Sequence, residues 1–557
     1  MVHGVSKGKA GWLKYLERYL PKDHAQDISI RLKDWPKGRR SLLNIVSHPE
    51  NPFVQENALL KLAAELLKAE HSDCLNSDGL GLDWLSIDCS DWNKIQHPDT
   101  PLALIVKEPN TIVPPWSKTP SWCSEEMAWA YRLGRLLRSA IIGESDFTTR
   151  FFPIREEQFD RYRGLQSSWY KRRMGLMPLS RGLGEEPTPI SPWLNELVMR
   201  LLQWPGLEIN RTDIESFAAF RQPSDLLKLV KARLAEQGRI YGSQSNLPAY
   251  LLPVDCSPKS NLREFKVALV QTLMPRDNDF SSGDPLMWTA SYRARHRAHL
   301  AAMCRLLGQQ LAASRFAKRK TSDKQKNQLD LIVFPELAIH PDDMWLLHRL
   351  SDSTGALIFA GQTFIEHPYL KKPINRAVWL LRQESAAGRQ IIRAYQGKQH
   401  GIPWELSSGV AGHRPYQVIV QLKDHSGAEA KLTGAVCYDA TDLKLGADMR
   451  DISDGFVISA LNRDIGTFDT MTTALQFHMY QPVMLANTGQ FGGSSAQAPF
   501  KQHYERQIAH VHGNNQAVIS IFEVDLLAFQ NTRKIEPQKE KKAAPAGFKG
   551  RNLGAVS

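Results

Sequence analysis

Apolar residues fall at helical spacing through much of the first 250 positions. NALLKLAAELLKAE (Asn57 to Glu70) joins strong helix formers to a repeating apolar face, and WLNELVMRLLQW and SDLLKLVKARLAEQG have the same texture. Ser124-Glu125-Glu126 offers a helix cap and two first-turn acids ahead of MAWAYRLGRLLRSAIIG. The Pro/Gly-rich stretch PLSRGLGEEPTPISP (Pro178 to Pro192) breaks the pattern. These signals predict a mainly α-helical region over 1–250, in which no enzyme motif is apparent. Prolines and polar residues in YLLPVDCSPKSNLRE predict a linker over 251–264.

Beyond it the pattern changes. FKVALVQ, LDLIVFPE, ALIFAG, INRAVWLL and IIRAYQGK are short apolar runs of strand length, as are YQVIVQL, KLTGAVCY, GFVISALN, PVMLANTG and AVISIFEVDL. Helical segments separate several of them; in the first, Leu300, Met303, Cys304, Leu307 and Leu311 share one face. The expectation for 265–530 is an α/β domain, followed by a basic disordered tail over 531–557.

With 557 residues the chain exceeds what one core usually serves, and 42% hydrophobic with 23% charged residues is ordinary for a globular protein. No apolar run is long enough to span a bilayer, and the basic start lacks the apolar stretch of a signal peptide, so the expected location is cytoplasmic, with no membrane partner. The six cysteines, at 74, 89, 123, 256, 304 and 437, have no CxxC pair and read as free thiols. His478, His503, His510 and His512 show no ligand spacing that would demand a metal. The net charge of +12 permits an acidic partner without requiring one. The basic runs Arg315 to Lys326, Lys171 to Arg173 and Lys539 to Arg551 read as solvated surface, with nucleic-acid contact the alternative.

Three predicted strands end on reactive side chains: LIVFPE on Glu336, IIRAYQGK on Lys398 and LTGAVC on Cys437. In open α/β folds the carboxyl ends of strands line the ligand crevice. A carboxylate, an ammonium and a thiol meeting there supply a proton carrier, an oxyanion partner and a nucleophile. Gly492-Gly493-Ser494-Ser495 lacks the lysine and context of a phosphate loop and reads as a substrate-side loop.

The blocks VFPELAI, YQGKQH, GAVCYDAT and LANTGQFGGSSAQAP, in that order, resemble those around the active site of the nitrilase, or carbon–nitrogen hydrolase, superfamily. The resemblance extends to FKVALVQ and ISIFEVDL and covers about the last half of the chain. It implies a nitrilase-like α-β-β-α sandwich that pairs into homo-oligomers and needs no cofactor. It also implies hydrolysis of a non-peptide carbon–nitrogen bond, in an amide rather than a nitrile, within a small-molecule substrate. By the same resemblance Cys437 is the nucleophile, Glu336 the general base, and Lys398 with the backbone N–H of Tyr438 the oxyanion holder. Glu405, seven residues after Lys398, resembles the family's second glutamate. Asn487 is a candidate for the substrate pocket, with a turn-forming role the alternative. The chain departs from the family in CYDATDLKLG, which lacks the usual Pro-Glu after the cysteine.

QGKQHG, CYDATD and FGGSSAQAP look most like nitrilase domains joined to, or encoded beside, reverse transcriptases in bacterial antiphage systems. The chain has no polymerase tetrad of its own, and Asp342-Asp343 does not sit in a hairpin, so a reverse transcriptase partner would act in trans. Two other readings stand beside hydrolysis: a silent scaffold of the same fold, and acyl transfer through the same thioester.

Overall fold

The protein is described by a computed structural model covering residues 35–48, 50–107, 118–120, 123–142, 191–203, 220–255, 260–280, 283–286, 289–317, 329–367, 370–385, 388–530 and 540–548. Lys171 to Arg173, Cys256, most of Pro178 to Pro192 and most of the Arg315–Lys326 run lie outside the described residues. The chain divides into two compact units, Met1–Tyr241 and Gly242–Ser557.

The first unit is not helical throughout. Strands β1 (Gly38–Ser41), β2 (Leu85–Cys89) and β3 (Leu102–Val106) form an antiparallel sheet in that order. Around it lie helices α1 (Leu42–Val46), α2 (Glu56–Leu66), α3 (Ala128–Ile142), α4 (Pro192–Leu201) and α5 (Pro223–Arg239). The four longer helices match the four periodic segments. The sheet was illegible because β2 and β3 are five residues each and flanked by loops, too short to establish a period of two. Ser124 makes no side-chain cap bond; a 3₁₀ turn over Glu125–Met127 leads into α3 instead.

The second unit starts earlier than the expected linker allowed. Ala249–Asp255 is strand β4, paired in parallel along its length with β10 (Gln417–Lys423). Pro253 suggested a break, but β4 is the edge strand of its sheet, where a missing N–H faces no neighbour. From Ser260 the chain is also held: Ser260 Oγ donates to Asp330 Oδ1, and Leu262 is fully buried.

Two sheets stack in this unit. One runs β16-β5-β6-β7-β8-β9, built from β5 (Phe265–Gln271), β6 (Leu331–Ile339), β7 (Leu357–Glu366), β8 (Pro373–Ser385), β9 (Gly388–Gly397) and β16 (Val518–Val524). The other runs β15-β14-β13-β12-β11-β10-β4, adding β11 (Glu429–Val436), β12 (Gly455–Ser459), β13 (Val483–Ala486), β14 (Ser494–Gln497) and β15 (Gln507–Val511). Ser459 Oγ on β12 donates to the carbonyl of Phe334 on β6, and Phe359 on β7 lies against Gly434 on β11, so the sheets meet face to face. Every residue of β6 is buried, as expected for a strand covered on both faces.

Helices α6 (Ala290–Ala317) and α7 (Met344–Thr354) cover the first sheet, with Leu300, Met303, Leu307 and Leu311 packing on Ile332, Phe334 and Ile358. Helices α9 (Leu443–Arg450) and α10 (Ile465–His478) cover the second, after the short α8 (Pro403–Ser407). The order of layers is α-β-β-α. Among the described residues no helix is long and apolar enough to cross a membrane.

The expected disordered tail is in part a packed segment. Over 540–548 the Tyr480 hydroxyl donates to the Lys542 carbonyl, Lys541 bridges to Phe500, and Phe548 packs on Tyr480 at 5.0 Å between ring centroids. The buried aromatic ring, not the surrounding lysines, decides the outcome. Ser494–Gln497, expected in a loop, is a buried strand.

Candidate active site

Glu336 sits where the pairing of β6 with β7 slips, between Phe334 and Ile339, and Leu337 after it has φ +60°. Such a bulge re-aims one side chain of an otherwise regular strand. It is tolerated because Gly361 faces it: a Cβ there would run into the backbone of Glu336 and Pro335. Lys398 follows the last residue of β9 and is anchored on both sides, its N–H donating to the Asn375 carbonyl at 3.0 Å and its carbonyl accepting from His413 N–H at 2.8 Å. Cys437 follows β11, opens a 3₁₀ turn over Cys437–Thr441, and has φ +48°. A non-glycine residue in this left-handed region stores strain, and it turns the thiol off the strand axis.

These three side chains, one from a bulge inside β6 and two from just past the ends of β9 and β11, meet with Glu405 in one buried cluster. Lys398 Nζ donates to Glu336 Oε1 at 2.8 Å and to Glu405 Oε2 at 2.7 Å. Glu405 is fixed from within α8 and its approach, accepting the Ile402 N–H at 2.9 Å. Glu336 Oε2 accepts the Leu461 N–H at 3.0 Å, and the Cys437 thiol lies 3.8 Å from the Leu461 carbonyl and interacts with the Glu336 carboxylate.

The charges follow from that geometry. Burial pushes the Glu336 carboxyl above its ordinary range, and the Lys398 ammonium only partly offsets this. Burial works against the Lys398 charge, but Glu336, Cys437 and Glu405 together hold it well above the usual lysine value. Burial, then Glu336, drives the Cys437 thiol far up, with Lys398 pulling the other way. Burial thus favours the neutral form of both the thiol and the carboxyl, and Lys398 is the neighbour that opposes it at each. Tyr438 follows Cys437 in the first turn of the 3₁₀ helix, where a backbone N–H has no acceptor within the helix.

Asn375 is the site residue the sequence reading missed. Its amide donates to Glu336 Oε1 and to Glu405 Oε1, both at 2.7 Å, bridging the same carboxylates as the lysine. The only signal in the sequence was its place in INRAVWLL, where strand alternation turns it toward one face. The Asn487 side-chain oxygen accepts from Asn462 N–H at 2.9 Å and its amide donates to the Asn462 and Gly492 carbonyls at 2.9 and 2.6 Å. Asn462 directly follows Leu461, whose N–H bonds to Glu336, so Asn487 holds the loop beside the cluster. Asp343 is fully buried and accepts from Arg293 and Arg297 at 3.1 and 2.6 Å, a structural ion cluster. Among the described residues the one metal-like group of three is Glu65, Glu70 and His71, in the first unit.

No protein-family model matches the chain, and no curated protein does. Solved structures do resemble it. A CN-hydrolase superfamily protein from Xanthomonas campestris, with an arsenic adduct in its active site, is 16% identical at a TM-score of 0.32, over 46% of this chain and 90% of its own. Nit3 of Saccharomyces cerevisiae, from branch 10 of the nitrilase superfamily, is 14% identical at a TM-score of 0.33, over 50% and 98%. An amidase from Nesterenkonia sp. AN1, bearing the acetamide moiety of fluoroacetamide on its active-site cysteine, is 13% identical at a TM-score of 0.33, over 48% and 94%. The chemistry of this chain has to be read from its own residues.

Proposed function

We propose that the second unit is a hydrolase of non-peptide carbon–nitrogen bonds, acting on amides through a cysteine thioester. One observation carries the reading: a lysine buried between two glutamates, beside a thiol on a left-handed turn. A structural core has little use for three buried charges, since replacing them with packed apolar residues is often neutral or stabilising.

In the proposed reaction the Cys437 sulfur attacks the amide carbon while Glu336 takes the thiol proton. Lys398 and the Tyr438 N–H meet the negative charge that develops on the carbonyl oxygen. Glu336 returns the proton to the departing amine, the C–N bond breaks, and a thioester remains. Water then attacks the thioester as Glu336 accepts its proton, and the sulfur leaves with the proton restored. Glu405 and Asn375 hold Lys398 and Glu336 in place throughout.

Iodoacetamide tests the first step. Burial raises the other described thiols as well, Cys74 to about 11 and Cys304 to about 12, and among the described thiols Cys437 has the hydrogen bond to a glutamate side chain. Cys437 is therefore expected to label fastest, and a panel of simple amides should turn over with the wild type and not with Cys437→Ser. Labelling of Cys437 no faster than Cys74 or Cys304 would refute the reading and favour the scaffold. Turnover without any added amine separates hydrolysis from acyl transfer, because a hydrolase releases free acid in water alone whereas an acyl-transferring site stalls as the thioester until an acceptor amine is supplied. The setting implied by the motifs, antiviral defence with a reverse transcriptase in trans, belongs to the same proposal. Co-purification of a reverse transcriptase with the full chain from its native cells is its test.

A further inference from the structure

We infer that Asp439, held by Arg414, is a positioning residue that fixes Lys398 relative to Cys437; this rests on the function proposed above. Asp439 lies two residues after Cys437 in the same 3₁₀ turn and is 1% exposed. Its Oδ2 accepts the Gln399 N–H at 2.8 Å and its Oδ1 the His400 N–H at 2.7 Å. Those two residues directly follow Lys398. One carboxylate thus ties the backbone that carries the lysine to the backbone that carries the nucleophile.

Arg414 completes the tie. It is 7% exposed and donates Nη1 to Asp439 Oδ2 at 2.9 Å and Nη2 to Asp442 Oδ2 at 2.8 Å. Asp442 in turn caps α9 through the Lys444 N–H at 3.0 Å and lies 3.5 Å from His400 Nε2. The segment bearing Arg414 also grips the lysine strand. His413 N–H donates to the Lys398 carbonyl, and Gly397 lies so close to the His413 carbonyl that any side chain there would collide. The cation reaches the turn CYDATD from a separate segment, GHRPYQ.

The physical argument is one of tolerance. Catalytic groups displaced by about an ångström lose much of their effect. Charge-assisted bonds to backbone N–H groups are short and directional, suited to setting such a distance. The groups facing the thiol are Glu336 from β6 and Lys398 from β9, with Glu405 of α8 behind the lysine. Of these, Lys398 alone favours the thiolate. If Asp439 or Arg414 is lost, Lys398 drifts from the thiol, and Cys437 ionises less readily.

The test is the pH dependence of Cys437 alkylation by iodoacetamide in the full chain, read by mass spectrometry. Asp439→Asn keeps the shape but turns an amide NH2 toward two N–H donors, and Arg414→Met removes the cation. Both are expected to displace the alkylation midpoint to the alkaline side by about one pH unit, slowing neutral labelling about tenfold. Arg414→Lys, which keeps the charge without the fork, should fall between them and the wild type. If the two harsher variants do not fold, Arg414→Lys carries the test alone, and its midpoint must still move. Variants that melt at a lower temperature but keep the wild-type midpoint overturn the inference, because a purely structural role predicts that result. Wild-type Cys437 that labels no faster than the other thiols overturns the proposed function and this inference with it.

Discussion

Replacing Lys398 by Met removes one buried positive charge and little volume. The ammonium is 3% exposed and contacts carboxylates that are 4% and 2% exposed, at 2.8 and 2.7 Å. Removing one partner of a buried ion pair leaves the other uncompensated, at a cost of about 3–5 kcal/mol. Here two carboxylates are stranded, joined only through the Asn375 amide. The cost depends on pH. Burial already raises Glu336, and without the lysine it rises further, so the folded variant holds a proton that the unfolded chain releases near the ordinary glutamate value. A raised folded-state value contributes stability that is full below the unfolded value and lost as pH climbs through the folded one. The variant should therefore lie closest to the wild type at about pH 5 and furthest below it at about pH 8. The same substitution removes the oxyanion partner and leaves Glu336 protonated at neutral pH, so amide turnover should fall about a hundred- to a thousand-fold. Thermal melts at both pH values, with circular dichroism to confirm folding, and turnover of an amide panel measure the two effects. A folded variant with an equal melting deficit at both pH values would show that the carboxylates do not repel, and wild-type turnover would remove Lys398 from the mechanism.

Three further outcomes follow from the packing. Gly361→Ala drives a methyl into the Glu336 backbone and should cost about 1–3 kcal/mol while slowing Cys437 alkylation; an unchanged alkylation rate would mean that the bulge does not aim Glu336. Phe548→Ala should lower stability by about 3 kcal/mol in urea melts, since its ring packs on Tyr480 under the tail; no change would mean that 540–548 is not anchored there. A chain starting at residue 242 should stay monodisperse or form defined oligomers, whereas one starting at 265 loses β4, bares the edge of β10 and should aggregate in size-exclusion chromatography. Equal behaviour of the two would restore 251–264 as a linker.

Ten strands of the second unit were visible as apolar runs, because a strand buried on both faces needs near-continuous apolar residues and Gly or Pro punctuation at its ends. Strand β4 was hidden by Pro253, whose effect depends on whether the strand is central or at the edge, and only the assembled sheet decides that. β14 reads SSAQ, with no apolar signal; its first serine is satisfied by a partner far along the chain, Ser494 Oγ donating to Gln271 Oε1 at 2.8 Å.

The sequence by itself determined which residues could do chemistry here, since Glu336, Lys398 and Cys437 stand at the ends of runs whose composition demands burial. It placed Lys398 and Cys437 just past the ends of their strands, but not Glu336 at a bulge inside β6. Only the tertiary structure decided what surrounds them. Asn375 between two carboxylates, Asp439 between two strand ends, and Arg414 behind it each depend on a neighbour from a segment distant along the chain or on another strand. Periodicity and propensity act over a few residues, whereas the charge state of a buried group is set by whatever the fold places within a few ångströms of it.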